Sequence, residues 1–299
     1  MFRWFSPVRA LFGRRPDAAL PEDVCHLAAI LGIAPEELST VRLGSRYHYR
    51  PFSIPKRDGR ERTILAPSPA LKALQRRLLR RYLARLPIHP AATAFHPGGS
   101  IVANARRHAG QAVIATVDVA DFFLSTTADR VRRFFLAQGW RGEALAALMR
   151  LCVYRGGLPQ GAPTSPCLSN LVNVDLDEAL DALAHRSGGT YTRYGDDLTF
   201  SWPTEPPAQT SRVEASVRKH LLQAGYRVQP RKGWRVQRVA AEPEVNGVVL
   251  ARDGGLRPPA RVRGQIRRLR WRARWRRDST ARERLRGYEG HLRALEEDR

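Results

Sequence analysis

Two adjacent carboxylates, Asp196 and Asp197, sit in the run TYTRYGDDLTFSW at residues 190–202. Strand formers flank Gly195 and Asp196: Tyr191, Thr192 and Tyr194 before, Leu198, Thr199, Phe200 and Trp202 after. After the acidic pair, apolar residues alternate with Thr199 and Ser201, the period of a half-buried strand. A Gly-Asp pair between two such runs signals a hairpin, so both carboxylates fall at a tight turn. There they repel each other without relief from a helix dipole. Two readings stand: a solvated Asx turn, or a site for a hard divalent cation that compensates the clustered charge. A third carboxylate, Asp118, ends the apolar, β-branched run QAVIATVDV at residues 111–119, which reads as a central strand. A carboxylate at the end of a buried strand is costly unless a cation pairs with it. Two antiparallel central strands would bring Asp118 to the 196–197 turn. Carboxylates that hold a pair of Mg²⁺ ions are the apparatus of phosphoryl transfer, in which positioning and charge replace a protein nucleophile.

The surrounding pattern must supply those strands and their supports. Residues 21–31 read as a helix that starts at Pro21 and stops at Gly32, with a second helical turn from Pro35. Residues 50–55 and 60–65 read as strands joined by Lys56-Arg57-Asp58-Gly59. That hairpin is cationic, and reads equally as a solvated hairpin or as a clamp on a triphosphate. Residues 69–85 form an amphipathic helix with Leu71, Leu74, Leu78 and Leu83 inward and Arg76, Arg77, Arg80 and Arg81 outward. A turn at His96-Pro97-Gly98-Gly99 precedes the helix-like NARRH at residues 104–108. The Ser125-Thr126-Thr127 cluster caps a helix through Leu136, and another spans residues 143–151. After the Gly/Pro-rich loop at 158–165, Ser165 and Pro166 open one long helix to about Ser187, striped by Leu168, Leu171, Val172, Leu176, Leu180 and Leu183. A helix at 209–224 and strands at 235–239 and 245–250 follow. From Arg257 the chain is dense in arginine and helical, with Trp271 and Trp275 four residues apart. The fold class is α+β.

Composition narrows the partner. The chain has 299 residues, of which 51 are basic and 28 acidic, a net charge of +23. A field this positive on a chain with an ordinary core favours nucleic acid or another anionic surface. Only Lys56, Lys72, Lys219 and Lys232 are lysines, so the charge is arginine, which suits bidentate phosphate contact and stacking on bases. No apolar run approaches a membrane span, and the basic, aromatic N-terminus lacks a secretory h-region. It reads as a surface arm that orders on nucleic acid. Cys25, Cys152 and Cys167 form no CxxC pair, so nothing suggests a disulfide framework or a zinc site, which fits a reducing cytoplasm. Arginines interleaved with aromatics after residue 257 suit backbone contact plus stacking; a solvated arginine face over a Trp-anchored core is the alternative.

Several motifs occur in order. DVADFF at residues 118–123, LPQGAPTSP at 158–166, YGDD at 194–197, AGYRVQPRKGW with Lys232, and VNGVVL at 245–250, which looks like the primer-gripping hairpin, resemble the successive blocks of reverse transcriptases. NARRH matches the NAxxH signature of the bacterial retron type, over a resemblance that runs from about Arg50 to the C-terminus. Retron enzymes usually carry VTG where this chain has Val245-Asn246-Gly247.

The resemblance implies a right-hand polymerase architecture: an N-terminal helical extension (1–46), fingers and an antiparallel-sheet palm (47–250), and a basic helical thumb (251–299). It implies Asp118, Asp196 and Asp197 as catalytic and, with the Val119 carbonyl, as holders of two Mg²⁺ ions, for which Mn²⁺ substitutes. Lys56, Arg62, Asp121, Phe122, Phe123 and Gln160 are the implied dNTP site, with Phe123 where an aromatic excludes a ribose 2′-OH. Asn104, His108, Gly161, Arg267, Arg268, Arg270 and Trp271 are the implied RNA or template contacts. The implied partners are dNTPs, a cognate structured non-coding RNA, its RNA–DNA product and a retron effector protein, with no membrane. The implied activity is copying of that RNA into a branched RNA–DNA molecule, in antiphage defence. The competing readings are an RNA-dependent RNA polymerase, which Phe123 and the LPQG loop disfavour; a group II intron-type enzyme, for which the C-terminal segment leaves no room for a maturase or endonuclease domain; and an RNA-binding protein with a vestigial site, which the intact Asp trio disfavours.

Overall fold

The structure is a computed structural model that describes residues 24–40, 48–55, 59, 61–204, 209–276 and 278–296. The basic N-terminal arm, most of the 1–46 extension's entry and exit, Lys56 and the 56–58 turn lie outside the described residues.

In chain order the elements are α1 (Val24–Leu31), α2 (Pro35–Thr40), β1 (Tyr49–Pro55), β2 (Glu61–Pro67), α3 (Pro69–Arg81), α4 (Ile101–Arg106), β3 (Val113–Asp118), α5 (Phe122–Ser125), α6 (Ala128–Ala137), α7 (Gly142–Cys152), α8 (Ser165–Val172), α9 (Val174–Arg186), β4 (Thr190–Tyr194), β5 (Asp197–Trp202), α10 (Gln209–Gln223), β6 (Trp234–Arg238), β7 (Glu244–Val245), β8 (Val248–Leu250), β9 (Leu256–Arg257), α11 (Ala260–Trp275) and α12 (Ser279–Glu296). The fold is α+β, and its sheets are antiparallel: β1-β2, β4-β5-β3-β6 and β7-β8-β9.

The four-stranded sheet sorts its side chains by period 2. Val113, Ala115 and Val117 of β3, with Leu198, Phe200 and Trp202 of β5, enter one core with Leu176, Leu180 and Ala184 of α9 and Val213, Val217 and Leu221 of α10. The alternate residues, Thr116, Asp118, Asp197 and Thr199, therefore share the opposite face. Two helices cover one face; on the other, α4 and the three-stranded sheet cover Ile114 and Ser201, and the end that carries Asp197 opens to a cleft.

A second core gathers α1, α2, α3, α6, α7 and α8 around Leu71, Phe135, Trp140 and Leu148. Here α3 follows its sequence signals: Ser68 caps it by accepting from the Leu71 amide at 3.4 Å, Pro69 opens it, and Leu71, Leu74 and Leu78 are buried. A third core joins Val102 and Ala105 of α4 to Val245, Val248, Leu250, Leu256 and Leu295, tying the three-stranded sheet to α12.

Two elements differ from expectation. The long helix breaks at Asn173 (φ −98°, ψ 10°), where α8 ends and α9 begins. The buried Asn173 amide donates to the Ser169 carbonyl and the Tyr226 hydroxyl, at 2.7 and 2.9 Å, and accepts from Arg130 at 2.7 Å. Asparagine offers helical backbone these alternative partners, which a leucine stripe does not reveal. The single strand read from the apolar run at 245–250 is two strands with Asn246 and Gly247 as the turn between β7 and β8, the hairpin that the resemblance implies there. Asn-Gly is itself a strong hairpin signal, and outweighs the apolar run around it. Among the described residues no helix is long and apolar enough to cross a membrane.

Candidate active site

Strand pairing brings the three carboxylates together. Asp118 is directly opposite Asp197 in the β3–β5 register, and Asp197 is opposite Tyr194 across the β4–β5 hairpin. Residues so paired have Cβ atoms about 5 Å apart. Gly195 and Asp196 form the two-residue turn, with Gly195 at φ 68°, as a primed hairpin turn requires at its first central position. The Val119 amide donates to the Asp196 carbonyl at 2.9 Å, which locks the end of β3 to the turn. Asp118 is 4% exposed; Asp196 opens to the solvent of the cleft.

Cations answer this charge. Lys232 donates directly to Asp118 Oδ1, and Arg235 of β6 lies 3.8 Å from its Oδ2. The Gln229 amide donates to the Asp118 carbonyl at 2.8 Å, so the segment that carries Lys232 is fixed to the same strand end. The cost of burying Asp118, apparent from sequence, is thus met by a lysine and an arginine. The compensation is incomplete. Burial, a hydrogen bond with Asp118, and the charges of Asp118 and Asp196 push the Asp197 carboxyl up to about 8. Burial and Asp118 also raise Asp196, against the pull of Lys232 and Arg62. Arg62, exposed on β2, therefore faces the acidic turn. Among the described residues no set of three or more His, Cys, Asp or Glu side chains is already spaced to chelate a metal; Lys232 stands on Asp118 instead. The donor set nevertheless suits a hard divalent ion: three oxygen ligands with more negative charge than their surroundings neutralise.

The turn rests on a buried polar layer that sequence reasoning missed. Arg193 of β4 is 1% exposed and forms a bidentate ion pair with the buried Asp177 of α9, at 2.8 and 2.6 Å. Its remaining nitrogen reaches Asn170 Oδ1 at 3.2 Å and the Gly195 carbonyl at 3.3 Å. The Tyr191 hydroxyl donates to the same Asp177 at 2.9 Å. An arginine in a strand reads as solvent-facing; this one is covered because α9 lies against β4.

Asn104 and His108, expected as RNA contacts, both have fully buried side chains. His108 stands between Ser201 Oγ and Thr192 Oγ1, at 2.7 Å each, and staples α4 to β5 and β4. Burial, with Arg107 nearby, pushes its pKa down to about 3, so the ring is neutral, donating to one hydroxyl and accepting from the other. Asn104 lies between Thr93 and Asn246, and the Asn246 amide donates to Asp197 Oδ2 at 2.9 Å.

The remaining positions ring the same centre. Asp121 begins α5 at φ 45°; Phe122 is buried, and Phe123 is half-buried with its ring 6.2 Å from that of Phe95. Phe95, unremarked in the sequence, holds φ 65°, is 43% exposed and touches the turn: a Cβ on Gly195 would be 3.2 Å from its ring. At this positive φ any larger residue is strained and would push against the Phe95 ring. Gln160 accepts the Leu65 amide through its carbonyl at 2.7 Å, and a Cβ on Gly161 would meet the Leu65 carbonyl at 2.7 Å, so the 158–166 loop is packed onto β2.

A cleft of about 1240 Å³ joins these carboxylates to α11 and α12. Arg261, Gln265 and Arg268 of α11 and Arg284 and Tyr288 of α12 line it. Of the α11 residues expected to touch RNA, Arg268 faces this cleft; Arg267, Arg270 and Trp271 are exposed outside its lining. The cleft-facing set recurs at helical spacing, 261, 265 and 268, a signal the sequence carried. Trp271 is 52% exposed, so Ile266 and Leu269, not a tryptophan, anchor α11.

The family described as reverse transcriptase (RNA-dependent DNA polymerase) matches residues 54–240. The retron Mx162 reverse transcriptase of Myxococcus xanthus is 42% identical over 251 residues, 75% of this chain and 51% of that protein. The retron Mx65 reverse transcriptase of the same organism is 39% identical over 240 residues, 72% of this chain and 54% of that protein. The retron Ec86 reverse transcriptase of Escherichia coli is 39% identical over 171 residues, 56% of this chain and 53% of that protein. The chain spans about half the length of these curated relatives. With its acidic pair at a β-hairpin tip, opposite a third carboxylate on the neighbouring strand, the chain belongs to the reverse transcriptase (RNA-dependent DNA polymerase) family, and within it to the bacterial retron type.

Proposed function

We propose that the chain is an RNA-directed DNA polymerase that copies a cognate structured RNA from dNTPs. The observation that carries this is the register pairing of Asp118 with Asp197 beside the Gly195-Asp196 turn, at the end of the sheet that opens to a basic cleft. In this reading β1 and β2 with their supporting helices are the fingers, the four-stranded sheet is the palm, and the segment from 251 is the thumb.

The family depends on divalent metal, and here Asp118, Asp196 and Asp197, with the Val119 carbonyl, would hold two Mg²⁺ ions. When bound, such ions lower the pKa of an attacking hydroxyl and neutralise the pyrophosphate that leaves. The protein's own residues do the positioning. Lys56 and Arg62 neutralise the triphosphate from the β1–β2 side. Asp121, Phe122 and Gln160 shape the nucleotide site, and Phe123 blocks a 2′-OH. Lys232, which pairs with Asp118 and is half exposed, turns toward a phosphate. Arg268, Arg284 and Tyr288 hold the template and primer across the cleft. The template in this reading is a dedicated RNA, which the likeness to retron reverse transcriptases supports. A branched RNA–DNA product, an effector protein, antiphage defence and a cytoplasmic location complete the reading.

The test is RNA-templated primer extension with purified protein, wild type against Asp196→Asn and Asp197→Asn, with RNA binding measured in parallel. We expect dNTP incorporation by the wild type, a loss of about a thousandfold or more in the variants, and RNA affinity unchanged. Extension by the variants at the wild-type rate would refute the assignment.

A further inference from the structure

Asn246 stands where the retron pattern usually has threonine, and it combines two properties that threonine lacks. It is the first central residue of the β7–β8 turn, with φ 48°, and Gly247 follows at 89°. Positive φ at both positions is a type I′ turn, which favours Asn-Gly and strains a β-branched residue. From this turn its amide nitrogen donates to Asp197 Oδ2 at 2.9 Å.

The other end of that amide is held as well. Asn246 Oδ1 accepts from Asn104 Nδ2 at 2.5 Å, and Asn104 Oδ1 accepts from the Thr93 hydroxyl at 2.6 Å. Thr93 in turn is held by its own amide, which donates to the Arg193 carbonyl at 2.9 Å. The bonds run from β4 through Thr93 and α4 to the β7–β8 turn and end on a carboxylate of β5. Their direction runs from the carboxylate, which accepts the Asn246 NH₂ and leaves each amide oxygen to accept from the next donor. Thr93 and Asn104 are buried, so water does not compete for these bonds. Val245 and Val248, which flank the turn, share an apolar core with Leu295 of α12, so the amide is mounted on the element that carries the basic helices.

We propose that Asn246 is a positioning residue that aims the Asp197 carboxylate, and that Asn104 aims Asn246. This rests on the reading of the Asp trio as a metal-holding polymerase site. It gives the NAxxH and VNG segments one shared task, although 142 residues separate the two asparagines.

The experiment titrates Mn²⁺ alone into the full chain and reads free Mn²⁺ by electron paramagnetic resonance. Asn246→Gly keeps a turn that glycine accepts and deletes the amide; Asn104→Ala leaves Thr93 its Arg193 partner. Each should weaken Mn²⁺ binding about tenfold, as loss of an outer-sphere partner does. The double variant should be no weaker than Asn246→Gly, because the two act in series. At saturating Mn²⁺, kcat for dNTP addition should fall in both variants while the dNTP KM holds. Wild-type Mn²⁺ affinity in either folded single variant, or additive losses in the double, overturns the proposal. A wild type that binds Mn²⁺ but extends no primer would sink the polymerase reading alone, and a wild type that binds no Mn²⁺ would sink both.

Discussion

At Asp197, burial and two neighbouring carboxylates act in one direction. Its carboxyl titrates near 8, against 3.8 in an unfolded chain. Between those values the folded state holds a proton that the unfolded state has lost. This group's contribution to stability is therefore full below about 4 and disappears as pH rises through 8. In chelator-treated protein, the melting temperature of the wild type should fall relative to Asp197→Asn across that window, and added divalent cation should remove the fall. Parallel pH profiles with chelator would show Asp197 unburdened. The three carboxylates were legible from residue type and place: two at a Gly-Asp turn, one at a strand end. The partners were not. Arg193 and Asn246 look like ordinary polar residues until α9 and the β7–β8 turn are placed, and Asn104 and His108 belong to a signature that says nothing of burial.

Among the elements, β4 and α9 set the position of the acidic turn. The Arg193–Asp177 pair lies under it, both side chains fully buried, so removing one partner strands the other's charge. Asp177→Ala should destabilise the protein by about 3–5 kcal/mol in urea titration, whereas Asp177→Leu with Arg193→Met should cost much less. A loss below about 1 kcal/mol for the single variant would mean that the pair is solvated in solution. Strand and helix identities followed from periodicity: the apolar run of β3, the alternation of β5 and the leucine stripe of α3 were all readable. What periodicity hides is interruption. Asn173 splits a stripe whose leucines still share one side, and Asn246-Gly247 folds an apolar run back on itself.

For the whole molecule, the charge of +23 fits a polyanion, and the cleft shows which arginines are placed to meet it beside the carboxylates. Arg268→Ala and Arg284→Ala should each flatten the dependence of log affinity on log salt by about 0.7–0.9 for a template-primer. Arg267→Ala and Arg270→Ala, whose side chains lie outside the cleft, should change it less. Equal effects at all four positions would mean that nucleic acid does not follow this cleft. Composition announced the polyanion, yet arginine density alone did not separate the cleft face of α11 from its outer face; that needed the 261, 265, 268 spacing and the docking of α12 through Leu295.

The central claim is that Asp118, Asp196 and Asp197 share divalent ions. Anomalous scattering from crystals soaked in Mn²⁺ tests it most directly. The account predicts manganese density between Asp118 and the 196–197 turn, with Lys232 displaced from Asp118. Manganese bound only elsewhere, with the Lys232–Asp118 pair intact, would contradict it.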